Sequence, residues 1–350
     1  MRPSALVNRD SRPGDTDDNP ITPPTPTLGR TISLDGLRGL AALSVALGHC
    51  ILVAGGLGLW QTGIRDFPAM SGLEIALRVL SAAFPSDAAV MVFFVLSGHV
   101  LWLSFARKNL FFVSGLANYI SARVYRLFPL AIVSALPIGL LSAAPAHELV
   151  LNMLLLSNSL NGVLWSLQVE VVASLALFAV WGLTRGTPVR LVVALTVALA
   201  ATPFFRGNPY VVFFPAFLLG AGIISVPAAI WRWRLLPAAA IAILLSANLA
   251  FGHGGMTRAF EMIGATVLVG VTAHGRLGFL SGRVPVFLGA ISYPLYLIHP
   301  ACLDQAVRWW GAAPSVSALP VLVVTSLVLA IPTAWLLHRY VEDPILRARP

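Results

Sequence analysis

The chain has 350 residues, of which 57% are hydrophobic and only 11% charged, and its mean hydropathy is +0.84. Soluble domains carry about 25% charged residues, so this composition excludes a large soluble domain and predicts an all-α, polytopic bundle of transmembrane helices. The net charge of +9 does not indicate nucleic-acid binding, because basic residues in membrane proteins usually mark cytoplasmic loops. The two cysteines, Cys50 and Cys302, show no metal-ligand spacing, so we predict no metal site and no disulfide framework.

The apolar segments divide the chain into a tail and a membrane domain. Residues 1–30 contain Asp, Asn, Thr, Pro and four Arg but no apolar segment, which predicts a disordered cytoplasmic tail. A membrane domain is expected over residues 31–346, followed by a short cytoplasmic end at 347–350. We predict about ten spans in that domain, at about 34–55, 86–106, 124–144, 164–184, 189–205, 209–227, 234–252, 258–274, 286–308 and 317–340.

Basic residues are distributed unevenly between the two sides of the predicted bundle. With the tail inside, 17 Lys and Arg residues fall in inner segments and five in outer segments, leaving out Arg38, which lies within the first span. This bias predicts that both termini are cytoplasmic and that the number of spans is even. The orientation also assigns a depth to each ionisable residue of a span.

The first span carries Asp35, Arg38 and His49. Arg38 and His49 are eleven residues apart, which is about three turns and roughly 16 Å along one helix face. Ionisable groups at membrane depth are costly and usually face a protein interior or a wet cavity. The spacing alone leaves two alternatives, a functional pair or a snorkelling Arg with a packed His.

The fourth span begins with Trp165 and Ser166 and carries Glu170 one turn later, so Ser166 and Glu170 share a face. In the predicted topology Glu170 and His49 lie at a similar, outer depth. A His and a carboxylate are the parts of a general base and its orienting partner. Two interpretations follow from the residues alone. His49 takes a proton from a hydroxyl while a carboxylate orients its ring, for which depth favours Glu170 over Asp35, or the two residues form a hydrogen bond that only joins two spans.

The third span begins with Arg123 and Arg126, which lie at the depth of Arg38 on the inner side. Guanidinium forks suit phosphates, so one interpretation is that these residues bind a phosphate-bearing cosubstrate from the cytoplasm. Taken alone, Arg123 and Arg126 favour the other interpretation, flanking charge that only orients the helix.

Two further spans carry polar residues near the middle of the membrane. Ser97 and His99 flank Gly98 in the second span, where small residues permit close helix packing. Tyr296 and His299 lie three residues apart on one face of the ninth span. They either line a tunnel or close it by packing.

These segments resemble a known family. The sequence is similar to the family-3 membrane acyltransferases of bacteria, which acylate extracytoplasmic carbohydrates, and the matching pieces follow the order of that family from residue 32 to residue 344. They are Leu34-Asp-Gly-Leu-Arg-Gly39 with His49 eleven residues after Arg38, Phe93-Phe-Val-Leu-Ser-Gly98, Arg123 with Arg126, Trp165-Ser-Leu with Glu170, Ile291-Ser-Tyr-Pro-Leu-Tyr-Leu-Ile-His299, and Glu342-Asp-Pro344. His99 departs from the apolar or aromatic residue usual at its position.

The resemblance implies a multi-pass enzyme of the bacterial inner membrane, an O-acyltransferase. Its cosubstrate would be cytoplasmic acyl-CoA, with acetyl-CoA expected, and no tightly bound cofactor. The acceptor would be a hydroxyl of a carbohydrate or glycolipid. The carried-over roles are catalysis by His49 with Glu170, and CoA binding by Arg38, Arg123 and Arg126. Substrate-lining residues would be Asp35, Ser97, His99, Trp165, Ser166, Tyr293, Tyr296 and His299.

A transporter or flippase for an anionic solute is the alternative function, because it would share the intramembrane ionisable residues. We see no inverted repeat in the sequence, which disfavours it. A membrane scaffold would give Arg38 and His49 no role. Beyond membrane lipids, acyl-CoA and the acceptor, the sequence indicates no partner, and it leaves the oligomeric state and the identity of the acceptor open.

Overall fold

The computed structural model describes residues 28–108, 113–311 and 315–348, and in these ranges every regular element is helical. This confirms the all-α prediction. The α-helices, in chain order, are α1 Leu28–Gln61, α2 Gly72–Ala83, α3 Ser86–Lys108, α4 Val113–Leu141, α5 Ala146–Met153, α6 Leu164–Thr184, α7 Pro188–Ala201, α8 Pro209–Gly222, α9 Leu236–Phe251, α10 Gly255–Ala273, α11 Arg283–Ala290, α12 Ser292–Trp310, α13 Leu319–Leu337 and α14 Asp343–Arg347. The predicted disordered tail lies outside the described residues, apart from its last three, with which α1 begins.

Several of the helices are suited to crossing a membrane. Among the described residues, six helices are long and apolar enough, with α2 and α3 counted together, and a seventh qualifies if the bent pair α11–α12 is one span. Three further apolar helices, α7, α8 and α9, are shorter. The protein is therefore a multi-pass membrane protein. The count of ten spans and the cytoplasmic location of both termini stay predictions.

Helix α3 is the centre of the bundle and packs against α1, α6, α8 and α10. Its closest approach is to α8, where each helix contributes one glycine. A Cβ atom on Gly98 would lie 2.1 Å from the carbonyl oxygen of Phe217, and one on Gly220 would lie 2.0 Å from that of Val95. Only hydrogen fits at either position, which confirms the predicted close packing at Gly98.

Glycines also explain the start of α1. A Cβ atom on Gly36 would lie 2.0 Å from the carbonyl oxygen of Leu280, and one on Gly39 would lie 2.3 Å from the backbone nitrogen of Gly289. The glycines of the Asp-Gly-Leu-Arg-Gly segment thus bring α1 against α11 and the turn before it. Arg38, between them, lines a cavity inside the bundle.

The predicted ninth span is broken in two. Helices α11 and α12 meet at Ile291 with an angle of 73°. Pro294 lies in the first turn of α12, where it lacks the N–H that would continue the hydrogen-bond ladder from α11. The hydroxyl of Ser292 donates to the carbonyl of Gly289 at 2.8 Å, next to the bend. The bend directs α12, with its tyrosines and His299, along α1 and α13.

Candidate active site

A central cavity of about 60 Å³ lies between α1, α3, α4, α6 and α12. These helices come from distant parts of the chain, and each contributes at least one polar side chain to the wall. The predicted site residues that line this cavity are Arg38, Ser97, Arg126, Ser166, Glu170, Tyr293 and Tyr296. The structure therefore brings together most of the residues that were singled out from the sequence.

The carboxylate of Glu170 accepts hydrogen bonds at the centre of this group of residues. One of its carboxylate oxygens accepts a hydrogen bond from Arg123 at 3.0 Å and another from the hydroxyl of Ser97, also at 3.0 Å. Arg123 in turn donates to the hydroxyl of Tyr119 at 3.3 Å. These contacts correct the predicted partnership, because the carboxylate of Glu170 bonds to a guanidinium and a hydroxyl and not to the ring of His49.

Positive charge is in excess around the central cavity. Arg38 and Arg126 line it together with Glu170, while Arg123 reaches it through its ion pair with the same carboxylate. Three guanidinium groups therefore surround one carboxylate. Groups so arranged are suited to an anion, because charged hydrogen bonds to phosphate or to an oxyanion are strong in a partly buried site.

His49 has a different partner, His299 on α12. The Nδ1 atom of His49 lies 2.9 Å from the Nε2 atom of His299, and the Nδ1 atom of His299 lies 3.2 Å from the carbonyl oxygen of Leu295. A carbonyl can only accept, so His299 carries its proton on Nδ1 and accepts at Nε2. These two hydrogen bonds assign the proton of His49 to its Nδ1 atom. Its Nε2 atom therefore keeps the lone pair that a general base needs.

Tyr296 connects the histidine pair with the central cavity. Its ring centroid lies 5.9 Å from that of His299, one helical turn away, and its hydroxyl forms a hydrogen bond of 2.7 Å with that of Ser166. The hydroxyl of Ser166 also lies 2.9 Å from the carbonyl oxygen of Val163, to which it can donate. The histidine pair is thus joined through α12 to the wall of the cavity.

A second, larger cavity of about 300 Å³ adjoins the central one. Val90 lines both cavities. Trp165, which was predicted to line the substrate site, lines the second cavity, and its neighbour Ser166 lines the first. The polar residues that line the second cavity are Asp87, His253, Thr257, Arg258 and Glu261. In the predicted topology it lies on the extracytoplasmic side, and we call it the outer cavity.

The charged residues of the outer cavity were not predicted from the sequence. Glu261 carried a usable signal, because it is a carboxylate inside the predicted span 258–274 and such residues mark functional sites in membranes. Asp87 and His253 lie at helix ends, where charge is ordinary, so the sequence offered no signal for them. His253 contacts Asp87 at 3.2 Å, and this hydrogen bond raises the pKa of His253.

Three predicted substrate-lining residues, Asp35, His99 and His299, line neither cavity. His299 lies in the hydrogen-bonded pair with His49. Asp35 is exposed near the start of α1, and its carbonyl faces Gly289. His99 is buried where α3 packs against α8. Its backbone nitrogen lies 2.9 Å from the position of a Cβ atom on Gly220, so the ring belongs to this helix crossing.

The geometry agrees with a comparison of the chain with known proteins. A family model described as an acyltransferase domain, of acyltransferase family 3, matches residues 31–339. Searches of curated proteins and of solved structures found no match. The family match favours an acyltransferase over the transporter that the sequence had left as an alternative. Because the match covers nearly the whole chain, the protein belongs to acyltransferase family 3 and is a membrane acyltransferase.

Proposed function

We propose that this acyltransferase moves an acyl group, with acetyl expected, from cytoplasmic acyl-CoA to a hydroxyl of an extracytoplasmic carbohydrate or glycolipid. The observation that carries the proposal is the hydrogen-bonded pair of His49 and His299, which is joined through Tyr296 to the cationic central cavity. Arg38 and His49 lie on one face of α1, roughly 16 Å apart along the helix. The extended pantetheine arm of CoA has a comparable length.

The donor would bind with its phosphates toward Arg38 and Arg126 and its thioester toward His49. A cavity of about 60 Å³ holds about two water molecules, at roughly 30 Å³ each. Donor binding therefore requires side chains to move. Phe93 and Tyr296 are the candidates, because their rings meet edge to face with centroids 5.6 Å apart in the wall of this cavity.

The chemical step follows from the protonation state of the histidine pair. The Nε2 atom of His49 takes the proton of the acceptor hydroxyl as the hydroxyl oxygen attacks the thioester carbon. The tetrahedral intermediate carries its negative charge on the former carbonyl oxygen until it collapses. Collapse breaks the carbon–sulfur bond, and the thiolate of CoA receives the proton from His49. His299 holds the ring in the tautomer that leaves Nε2 free.

The cellular setting is part of the same proposal. We place the enzyme in the bacterial inner membrane with about ten spans and both termini in the cytoplasm, supported by the 17-to-5 bias of basic residues. Reporter fusions at residue 30 and after Pro350 should then both report a cytoplasmic location. Extracytoplasmic signals from both fusions would reverse the assignment of the two cavities to their sides, and opposite signals would mean an odd number of spans.

The activity is tested with membranes that contain the full chain. Labelled acetyl-CoA is added, and transfer of label to the glycan and glycolipid fractions is measured against membranes that contain His49→Ala at the same protein level. We expect label in one of these fractions with the wild type and background with the variant. Equal labelling by both proteins would contradict the proposal. Profiling of acylated glycans in a deletion strain would then identify the acceptor.

A further inference from the structure

Glu261 is a buried carboxylate that lacks a protein partner. It lies on α10 with none of its surface exposed, and within the described parts of the chain neither carboxylate oxygen accepts a hydrogen bond. Buried polar groups are nearly always hydrogen-bonded, since an unpaired one is costly. Glu261 lines the outer cavity. Its free oxygens therefore indicate that the cavity receives a ligand that brings hydrogen-bond donors.

The size of the outer cavity limits that ligand. A cavity of about 150 Å³ accommodates benzene, with its six carbon atoms. The outer cavity, at about 300 Å³, thus has room for roughly twelve non-hydrogen atoms on the same scale. Twelve is the number in one hexose ring with its hydroxyl groups. A longer glycan would have to leave the cavity beyond its terminal sugar.

The walls suit a ring that has both apolar faces and polar edges. Trp165 and Phe213 line one side with their ring centroids 5.3 Å apart, and Met91 also lines the cavity. Aromatic rings provide large, rigid contact surfaces in binding sites. A few polar groups among such surfaces fix the orientation of a ligand, and here Asp87 and Glu261 provide them.

The charge of the cavity does not favour an anionic ligand. Two acidic side chains, Asp87 and Glu261, share the cavity with two basic ones, Arg258 and His253, and His253 is engaged with Asp87. Among the described residues, no group of three or more His, Cys, Asp or Glu side chains is arranged to hold a metal ion. A neutral molecule with several hydroxyl donors meets these requirements best.

The outer cavity also lies near His49, the proposed base, because Asp87 lines the cavity and interacts electrostatically with His49. A Cβ atom on Gly48, the residue before His49, would lie 3.1 Å from the Cβ of Ser86, the residue before Asp87. We propose that the outer cavity is the acceptor subsite, that it binds one hexose-sized neutral polyol, and that Glu261 accepts hydrogen bonds from the polyol's hydroxyl groups. This inference rests on the proposed function, to which it adds the acceptor's binding residues and size.

Binding of simple glycosides tests the inference without any acyl transfer. The purified full chain in detergent is titrated with methyl glycosides of neutral, anionic and amino sugars, and tryptophan fluorescence is followed. We expect a neutral glycoside to change the fluorescence of the wild type, and Trp165→Phe to reduce that change because Trp165 lines the cavity. Binding of amino sugars alone, or of no sugar, would overturn the proposal.

Substitutions at Glu261 then assign the site. Glu261→Ala should weaken binding of the neutral glycoside by roughly 2- to 13-fold for each hydrogen bond that is lost. Glu261→Gln should lose less, because its amide oxygen still accepts. Glu74→Ala is the matched control, since that carboxylate is exposed at the start of α2, and it should bind as the wild type does. Unchanged binding by Glu261→Ala would overturn the proposal.

A transfer assay separates this inference from the proposed function. With the glycoside that binds, Glu261→Gln should raise the KM for the glycoside and leave the KM for acyl-CoA unchanged. If the glycoside binds through Glu261 but no acyl group is transferred, the subsite stands and the proposed reaction fails. If transfer occurs with the same glycoside KM in Glu261→Ala, the reaction stands and the subsite fails.

Discussion

The Nδ1 atom of His49 lies 2.9 Å from the Nε2 atom of His299, although 250 residues separate the two in sequence. The second ring nitrogen of His299 faces the carbonyl oxygen of Leu295, so the direction of both hydrogen bonds is determined. His49 keeps an unprotonated Nε2 atom without the help of a carboxylate. A neutral orienting partner is reasonable here, because a charged one would have to be desolvated at membrane depth.

His49→Ala should abolish acyl transfer while membrane insertion and protein level are maintained. General base catalysis contributes about 10²- to 10⁴-fold, and alanine has no proton acceptor. His49→Gln should fail as well, since an amide hydrogen-bonds but does not take the proton usefully. The measurement is the rate of label transfer from acetyl-CoA in membranes. Wild-type-like activity in either variant would return His49 to a packing role.

If His299 positions the ring of His49, its loss should lower kcat more than it changes the KM for acyl-CoA. His299→Leu removes the acceptor for Nδ1 of His49, so we expect a loss smaller than the roughly 10²- to 10⁴-fold of the base itself. His299→Gln, whose side-chain oxygen can accept that proton, should recover part of kcat. If both variants lose only thermal stability and keep kcat, His299 merely packs against His49.

Loss of Arg38 or Arg126 should weaken donor binding. A lost charged hydrogen bond costs about 1.5–3 kcal/mol, which is roughly 10- to 150-fold in affinity. The measurement is the affinity for CoA of purified protein in detergent. Arg190→Ala, at an exposed position of α7, is the control for general charge. His49→Ala should bind CoA nearly as the wild type does, and the opposite pattern would move the donor site elsewhere.

The ion pair of Arg123 and Glu170 should show strong energetic coupling. Their side chains are only 12% and 20% exposed, and breaking a buried pair leaves one charge uncompensated, at a cost of about 3–5 kcal/mol. The double variant Arg123→Ala/Glu170→Ala should therefore lose less stability than the two single variants summed. Apparent Tm in detergent measures this. Additive losses would mean that the two charges do not stabilise each other.

Gly220→Ala should destabilise the protein, whereas Gly222→Ala should not. A Cβ on Gly220 would overlap the carbonyl of Val95, while one on Gly222 has no neighbour within 4 Å. Overpacking typically costs about 1–3 kcal/mol, and both glycines lie in α8, so the pair controls for helix propensity. Thermal denaturation in detergent compares them. Equal Tm values for the two variants would show that α3 and α8 separate at little cost.

The sequence by itself determined the class of the protein and most of the chemistry-bearing residues. Apolar length and scarce charge identify membrane helices without any tertiary information. Each of the ten predicted spans coincides with a helix, except that the ninth is broken into α11 and α12. Arg38, His49 and Glu170 were singled out because ionisable groups inside a span are costly and require a reason. That physical cost is local to each residue, so it can be read from one sequence.

Only the tertiary structure decided which of these residues meet. Depth along the helices suggested that Glu170 orients His49, but the predicted depth of Glu170 was wrong, because its carboxylate lies at the level of Arg38 and Arg123. Depth also gives no rotation about the helix axis and no lateral neighbour. Packing places Glu170 against Arg123. It places His49 against His299, because α12 reaches α1 after the bend at Ile291. The outer cavity likewise exists only in three dimensions, because Asp87, Trp165 and Glu261 come from three separate helices. Side-chain partners depend on how the helices pack, and this cannot be derived from the spacing of residues along one helix.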